Sequence, residues 1–188
     1  MKNYYVKDLM ISVSEYATVS EDATLFEAVI ELKSAQNFYT KNRYAFRSIL
    51  VLNNTGEVVG KLSQFDILKA LEPKYIENEK EIAKASGGYF DAGFLKSILM
   101  EYDLWNKPLD DICKKASSKK IKDFMYTPSE GEYIKEDRTL DHGIQHFLMG
   151  KHHAVLVTSA EKNNKIVGIL RLTDVFKKIC SMIETCEI

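Results

Sequence analysis

The chain has 188 residues and a formal net charge of −1 at pH 7, with 45% hydrophobic and 28% charged residues. That is the balance of an ordinary globular protein, and it supplies no overall field to gather nucleic acid or acidic lipid, so neither is expected as a partner. No window approaches the ~18 apolar residues a membrane span needs, and the opening "MKNYYVKDLM" lacks the apolar stretch and cleavage site of a signal peptide.

The elements follow in chain order. "ATV" (17–19) reads as a short strand. "EDATLFEAVIELKSA" (21–35) predicts a helix starting at Thr24 with Leu25, Ala28, Val29 and Leu32 on its buried stripe. "SILVL" (48–52) is a buried strand, and "EVVGKL" (57–62) follows a turn rich in Asn and Gly, making a hairpin. A helix from Asp66 ends the unit, with Ser63 and Asp66 spaced to cap it. Residues 72–118 carry two predicted helices, "IENEKEIAKASGG" and "FLKSILMEYDLW", and a shorter one from Pro108. In the second of these, Leu95, Ile98, Leu99 and Tyr102 form a stripe suited to packing on the rest of the chain or to docking on another protein.

"EYI" (132–134), a helix with Leu140, Ile144, Phe147 and Leu148 buried, "AVLVT" (154–158), "KIVGIL" (165–170) and a helix from Asp174 then repeat the first pattern. Slid by 115 positions, residues 6–25 match 121–140 at nine of twenty places, among them Lys7/Lys122, Asp8/Asp123 and Met10/Met125. At an offset of 108, "VVGKLSQFDILKAL" lies on "IVGILRLTDVFKKI", matching Gly60 with Gly168 and Asp66 with Asp174. Setting Leu52 on Val157 makes Arg47 and Ser48 the counterparts of His152 and His153. The chain is therefore a duplication, with unit one at 1–71, a helical insert at 72–118 and unit two at 119–188. Each β-α-β-β-α unit is too small to cover its own sheet, which predicts an α/β fold of two units packed about a pseudo-twofold axis.

The three cysteines, Cys113, Cys180 and Cys186, include no CxxC pair, which suits free thiols and a cytoplasmic setting. His142 and His146 are spaced i, i+4, but they face away from the apolar stripe where the first unit has Glu27 and Glu31, so a solvated face is the better account than a metal site. No nucleophile elbow, P-loop or dinucleotide fingerprint appears, and no catalytic role is expected.

Tandem units each ending in Gly-h-h-[Ser/Thr]-x-x-Asp and opening with "VKDLM" or "IKDFMYTP" resemble a pair of CBS (cystathionine β-synthase) domains, the Bateman module. The resemblance implies clefts between the units that bind an adenosine compound such as AMP, ADP, ATP or S-adenosylmethionine. It implies that Asp66 and Asp174 accept ribose hydroxyls and that Ser63 and Thr173 reach phosphate. Ser12, Thr127, Val19 and Ile134 would line the base pocket. Arg47, His152, His153 and Arg171 would supply positive charge to phosphates, and the cleft of Asp174 is the one expected to bind, since more donors gather there. It further implies a homodimer built on the helices after Asp66 and Asp174, signalling to a protein target. The sequence departs from the pattern at Arg171, which stands in place of a hydroxyl, and at Phe65, where a second hydroxyl is missing. Two alternatives remain: a helix cap with no ligand, and a ligand-free docking scaffold.

Overall fold

The two halves of the chain complete each other. In a computed structural model describing residues 4–38, 46–71, 111–150, 152–161 and 165–185, strand β1 (Ile11–Ser12) is followed by β2 (Thr18–Ser20), α1 (Leu25–Phe38), β3 (Ser48–Leu52), β4 (Val58–Ser63) and α2 (Gln64–Leu71). Helix α3 (Ile112–Ser118) then leads into β5 (Tyr133–Lys135), α4 (Leu140–Gly150), β6 (Ala154–Thr158), β7 (Ile166–Arg171) and α5 (Leu172–Glu184). The two helices expected at 76–88 and 94–105, with their Leu95–Tyr102 stripe, and Cys186 lie outside the described residues.

Local chemistry sets the helix starts. The Thr24 hydroxyl accepts the Glu27 N–H at 3.2 Å while the Glu27 carboxylate accepts the Thr24 N–H at 2.6 Å, a reciprocal cap on α1. At the start of α4 a side-chain contact stands in its place: Thr139 Oγ1 lies 2.8 Å from Nδ1 of His142, the residue that replaces Glu27. His146 is also engaged, with Nδ1 3.0 Å from the Gly131 carbonyl.

The buried stripes differ from expectation at two residues. Leu25, Ala28 and Leu32 of α1 are buried, but Val29 is 37% exposed. Leu140 and Phe147 of α4 are buried, but Leu148 is 74% exposed. In α4 the helix leans on Gly143: a Cβ there would stand 2.9 Å from Cδ2 of Leu170. Close approach on that side rotates Leu148 toward solvent.

Two sheets result, one ordered β2-β3-β4 and the other β1-β7-β6-β5. In each, the first strand of the unit runs parallel to the middle strand, Val19 beside Val51 and Ile134 beside Val157, and a hairpin follows. The register corrects one correspondence. Ser48 pairs with Ser63 as Ala154 pairs with Arg171. The Gln64 N–H reaches the Arg47 carbonyl as the Leu172 N–H reaches that of His153, both at 3.0 Å. Arg47 is thus the counterpart of His153, and Phe46 that of His152, one residue from the sequence alignment.

Strand β1, from the front of the first unit, belongs to the sheet of the second: Ile11 pairs with Ile169 and Ser12 with Gly168. Reciprocally, Tyr126 exchanges two backbone hydrogen bonds of 3.0 Å with Lys61. The segments just before these strands cross in the same way. The Val6 N–H donates to Arg138 and the Leu140 N–H to Tyr4; the Ile121 N–H donates to Ala23 and the Leu25 N–H to Lys119. Val6 lies in the core of the second unit and Ile121 in that of the first. These matched contacts define the pseudo-twofold relation.

The crossing explains both glycines of the repeated motif. A Cβ on Gly168 would stand 2.6 Å from the Ile11 carbonyl oxygen, and one on Gly60 would stand 2.9 Å from that of Tyr126. Backbone atoms cannot swing away as a side chain does. Gly168→Ala and Gly60→Ala should each destabilise the protein by ~1–3 kcal/mol, lowering Tm by roughly 2–12 °C at this chain length. Gly131→Ala, where a Cβ meets nothing within 4 Å, is the control. Equal melting curves for all three variants would overturn the account.

Candidate functional site

The turns that end β4 and β7, and the residues just before β3 and β6, meet around a cavity of about 520 Å³ between the units. Of the candidates named from sequence, Arg47, Ser63, Asp66, His152, His153, Arg171 and Thr173 line it. Ser12, Val19, Thr127, Ile134 and Asp174 do not. Ser12 Oγ is bound to Ser14 and Glu15. Val19 and Ile134 sit inside their sheets, the latter buried. Thr127 is exposed, in irregular backbone just after the bridge at Tyr126.

The two motif aspartates are placed differently. Oδ2 of Asp66 accepts the Ser63 N–H at 2.8 Å and the Ser63 hydroxyl at 2.6 Å, and Ser63 Oγ accepts the Asp66 N–H at 3.2 Å. This is a capping box, and it leaves Oδ1 of Asp66 without a partner among the described residues. In the second unit Arg171 stands where Ser63 does. Its guanidinium grips Asp174 with both groups, Nε to Oδ2 at 2.5 Å and Nη2 to Oδ1 at 2.8 Å, a bidentate pair of the strong kind. Arg171 is buried and lies 5.2 Å over the ring of Phe46. Arg171, the residue expected to meet phosphate, thus pairs with its own carboxylate while still lining the cavity.

Sequence reasoning missed a cluster at the floor of the cavity. Glu132 is 1% exposed, yet it is a carboxylate. Lys61 from the first unit donates to its Oε2 at 2.7 Å, Tyr126 OH donates to Oε1, and the Ser129 N–H adds a bond of 3.2 Å. His152 Nδ1 lies 3.9 Å from Oε2, and the Lys61 ammonium sits 4.9 Å above the Tyr126 ring. Burial pushes the Glu132 carboxyl up, but the bonds from Lys61, Tyr126 and Ser129 outweigh it and hold the group below its ordinary value. The Glu132 bond, aided by burial, raises the Tyr126 hydroxyl to about 12. At the repeat offsets the trio Lys61, Tyr126 and Glu132 corresponds to Ile169, Ile11 and Ala17. A lysine in a strand whose repeat carries isoleucine was the available signal. Tyr16 completes the wall: it is buried, its OH lies 3.1 Å from Ser48 Oγ, and it meets Phe46 edge-on at 4.5 Å. Burial pushes its hydroxyl up.

Duplicated β-α-β-β-α units that exchange opening segments around a shared cleft define a tandem-repeat module. The chain belongs to the CBS domain family, whose pattern matches residues 6–73 and 121–181. Similar solved structures include CBSX2 in complex with AMP, at 17% identity, covering 96% of this chain and 99% of that one with a TM-score of 0.59; CBSX2 is a CBS-pair protein of Arabidopsis thaliana. A CBS domain-containing protein of unknown function from Bacillus anthracis is 15% identical over 96% and 95% of the two chains, with a TM-score of 0.60. The CBS domain of a bacterial CNNM/CorC family Mg2+ transporter in complex with ATP is 14% identical over 95% and 89%, with a TM-score of 0.57. Such low identity shows the fold. No curated protein matches. Among the described residues, no helix is long and apolar enough to cross a membrane.

The Glu132 cluster carries a stability prediction. Removing one partner of a buried ion pair leaves the other uncompensated, so Lys61→Met should cost ~3 kcal/mol. Adding Glu132→Gln should recover ~1 kcal/mol or more, since the stranded charge is then gone. Because the folded carboxyl lies below its ordinary value of 4.5, its contribution is complete above that value and fades as pH falls through the lower folded one. Glu132→Gln should flatten the acid side of the stability profile. Denaturant melts from pH 7 to 3 test both points: a double variant no more stable than Lys61→Met would refute the first, and parallel profiles for wild type and Glu132→Gln the second.

Proposed function

We propose that this CBS pair is a regulatory module that binds an adenosine nucleotide in the cleft between its units and passes occupancy to a partner, without catalysis of its own. The observation that carries the reading is the cavity in which the open oxygen of Asp66, the cap at Ser63 and the cationic Arg47 and Lys61 converge. An ionised carboxylate accepts two hydroxyls of a diol, and desolvated phosphate requires paired donors. The volume lies in the range of small-molecule sites, ~300–1,000 Å³. The AMP and ATP held by two similar structures support the same class of ligand.

The module acts as a homodimer on this reading. Phe65 and Leu68 of α2 are each 64% exposed, and Phe26 and Ile30 of α1 and Phe176 of α5 are exposed as well. Apolar helix faces of this kind are what a symmetric interface covers. Ligand that favours one relative setting of the units is then read at the dimer contact as a coupling free energy.

Thermal melts with AMP, ADP, ATP and S-adenosylmethionine test the ligand. Saturation at a hundred times Kd adds ~2.7 kcal/mol, or roughly 5–10 °C. If none of the four moves Tm, nucleotide binding is refuted. Sedimentation should give a species of twice the 21.5 kDa chain mass, and Phe65→Asp should shift it to monomer. A wild-type monomer at micromolar concentration would remove the dimer.

A further inference from the structure

We propose that the module takes one nucleotide per chain, with its ribose diol on Asp66, because Arg171 closes the duplicate position at Asp174. This deepens the nucleotide-binding reading and rests on it.

Three independent features point the same way. First, the carboxylates differ in what they have left to offer. Ser63 occupies only Oδ2 of Asp66, and that residue lines the cavity. Arg171 occupies both oxygens of Asp174, which does not line it. Second, Arg171 is itself locked. Its side chain is 7% exposed, and it lies over the ring of Phe46, which is buried. Two hydroxyls that displaced it would exchange a bidentate charge-assisted pair for weaker bonds and leave a buried cation without its carboxylate. Third, the space beside the two motifs is filled differently. Beside Asp66 stand Lys61 and Tyr126, polar and reached from the cavity. Their counterparts Ile169 and Ile11 are buried against each other across β7 and β1. Thr173 and Arg171 still face the cavity from the second unit. The second motif thus contributes to the wall facing the phosphates but not to the ribose end.

Titration calorimetry with AMP and ATP, each beside its 2′-deoxy form, tests this. Wild type should bind one nucleotide per chain and prefer the ribose form about tenfold or more, the worth of a hydrogen bond to a charged group. Asp66→Asn should lose most of that preference and bind the ribose form about tenfold more weakly. Asp174→Asn should keep both the single stoichiometry and the preference. Two nucleotides per chain in wild type, or loss of the preference in Asp174→Asn, would overturn the assignment while leaving nucleotide binding intact. Absence of any binding by folded wild type sinks both. Melting curves check that each variant folds; should Asp66→Asn fail to, the wild-type stoichiometry and the Asp174→Asn preference decide.

Discussion

The exchange of opening strands is the constraint from which the rest of the structure follows. Neither sheet is complete without a segment from the other half: β1 finishes the sheet of the second unit, and Tyr126 bridges to β4 of the first. A carbonyl of the visiting strand lies against each motif glycine, so the Gly-h-h part of the motif is a docking surface for backbone before it is anything else. Because Val6 and Ile121 are buried in the opposite cores, the hydrophobic free energy of each unit depends on the presence of the other. The relative setting of the units is therefore held by the β1–β7 pairing, the bridge between Lys61 and Tyr126 and two shared cores. Whatever lies between the units is held with the same precision.

Within that frame the two halves diverge at the cleft while their scaffolds remain alike. The helix caps and hairpins recur with small changes, as do the bulges after Val51 and Val157. Where one half has the apolar trio Ile11, Ala17 and Ile169, the other has the polar trio Tyr126, Glu132 and Lys61, and only the polar one lines the cavity. A buried ion pair and a packed apolar cluster of similar volume contribute comparably to stability. The difference is in chemistry: one side is dry and filled, the other offers charge. Ser63 and Arg171 extend the contrast, since a short hydroxyl and a long guanidinium both satisfy a helix-start aspartate, but only the first leaves an oxygen over.

The duplication, the element order and the capping residues were legible because each is encoded locally, by periodicity, by a Ser-x-x-Asp spacing or by self-similarity. Two kinds of feature were not. Val29 and Leu148 sit at the margins of their stripes, and which margin faces the core depends on how closely a neighbouring strand approaches, as Leu170 approaches Gly143. Glu132 was hidden more completely. It opens "EYI", legible only as a short strand, and the charge it buries is met by Lys61, seventy-one positions away on a strand of the other unit. Likewise the pairing of Arg171 with Asp174 is not part of what the family resemblance implied, because a basic residue three positions before an aspartate at a helix start can reach that aspartate as readily as a ligand. The middle-strand correspondence slipped by one for a simpler reason: loops of different length flank it on both sides, and only the pairing with β4 and β7 fixes the register.

The charges in the cleft also set how occupancy couples to shape. Lys61 and Arg171, cations on β4 and β7, are each already paired with a carboxylate of the same chain. On the nucleotide-binding reading, a phosphate that approaches Lys61 shares it with Glu132, and Lys61 and Glu132 belong to different units. Any weakening of that cross-unit pair is felt where the units meet, close to the bridge between Lys61 and Tyr126. The attraction gained by the ligand and the attraction lost between the units are then terms in one equilibrium. On that reading, a ligand with no contact to Lys61 would bind without that exchange and couple more weakly to the setting of the units.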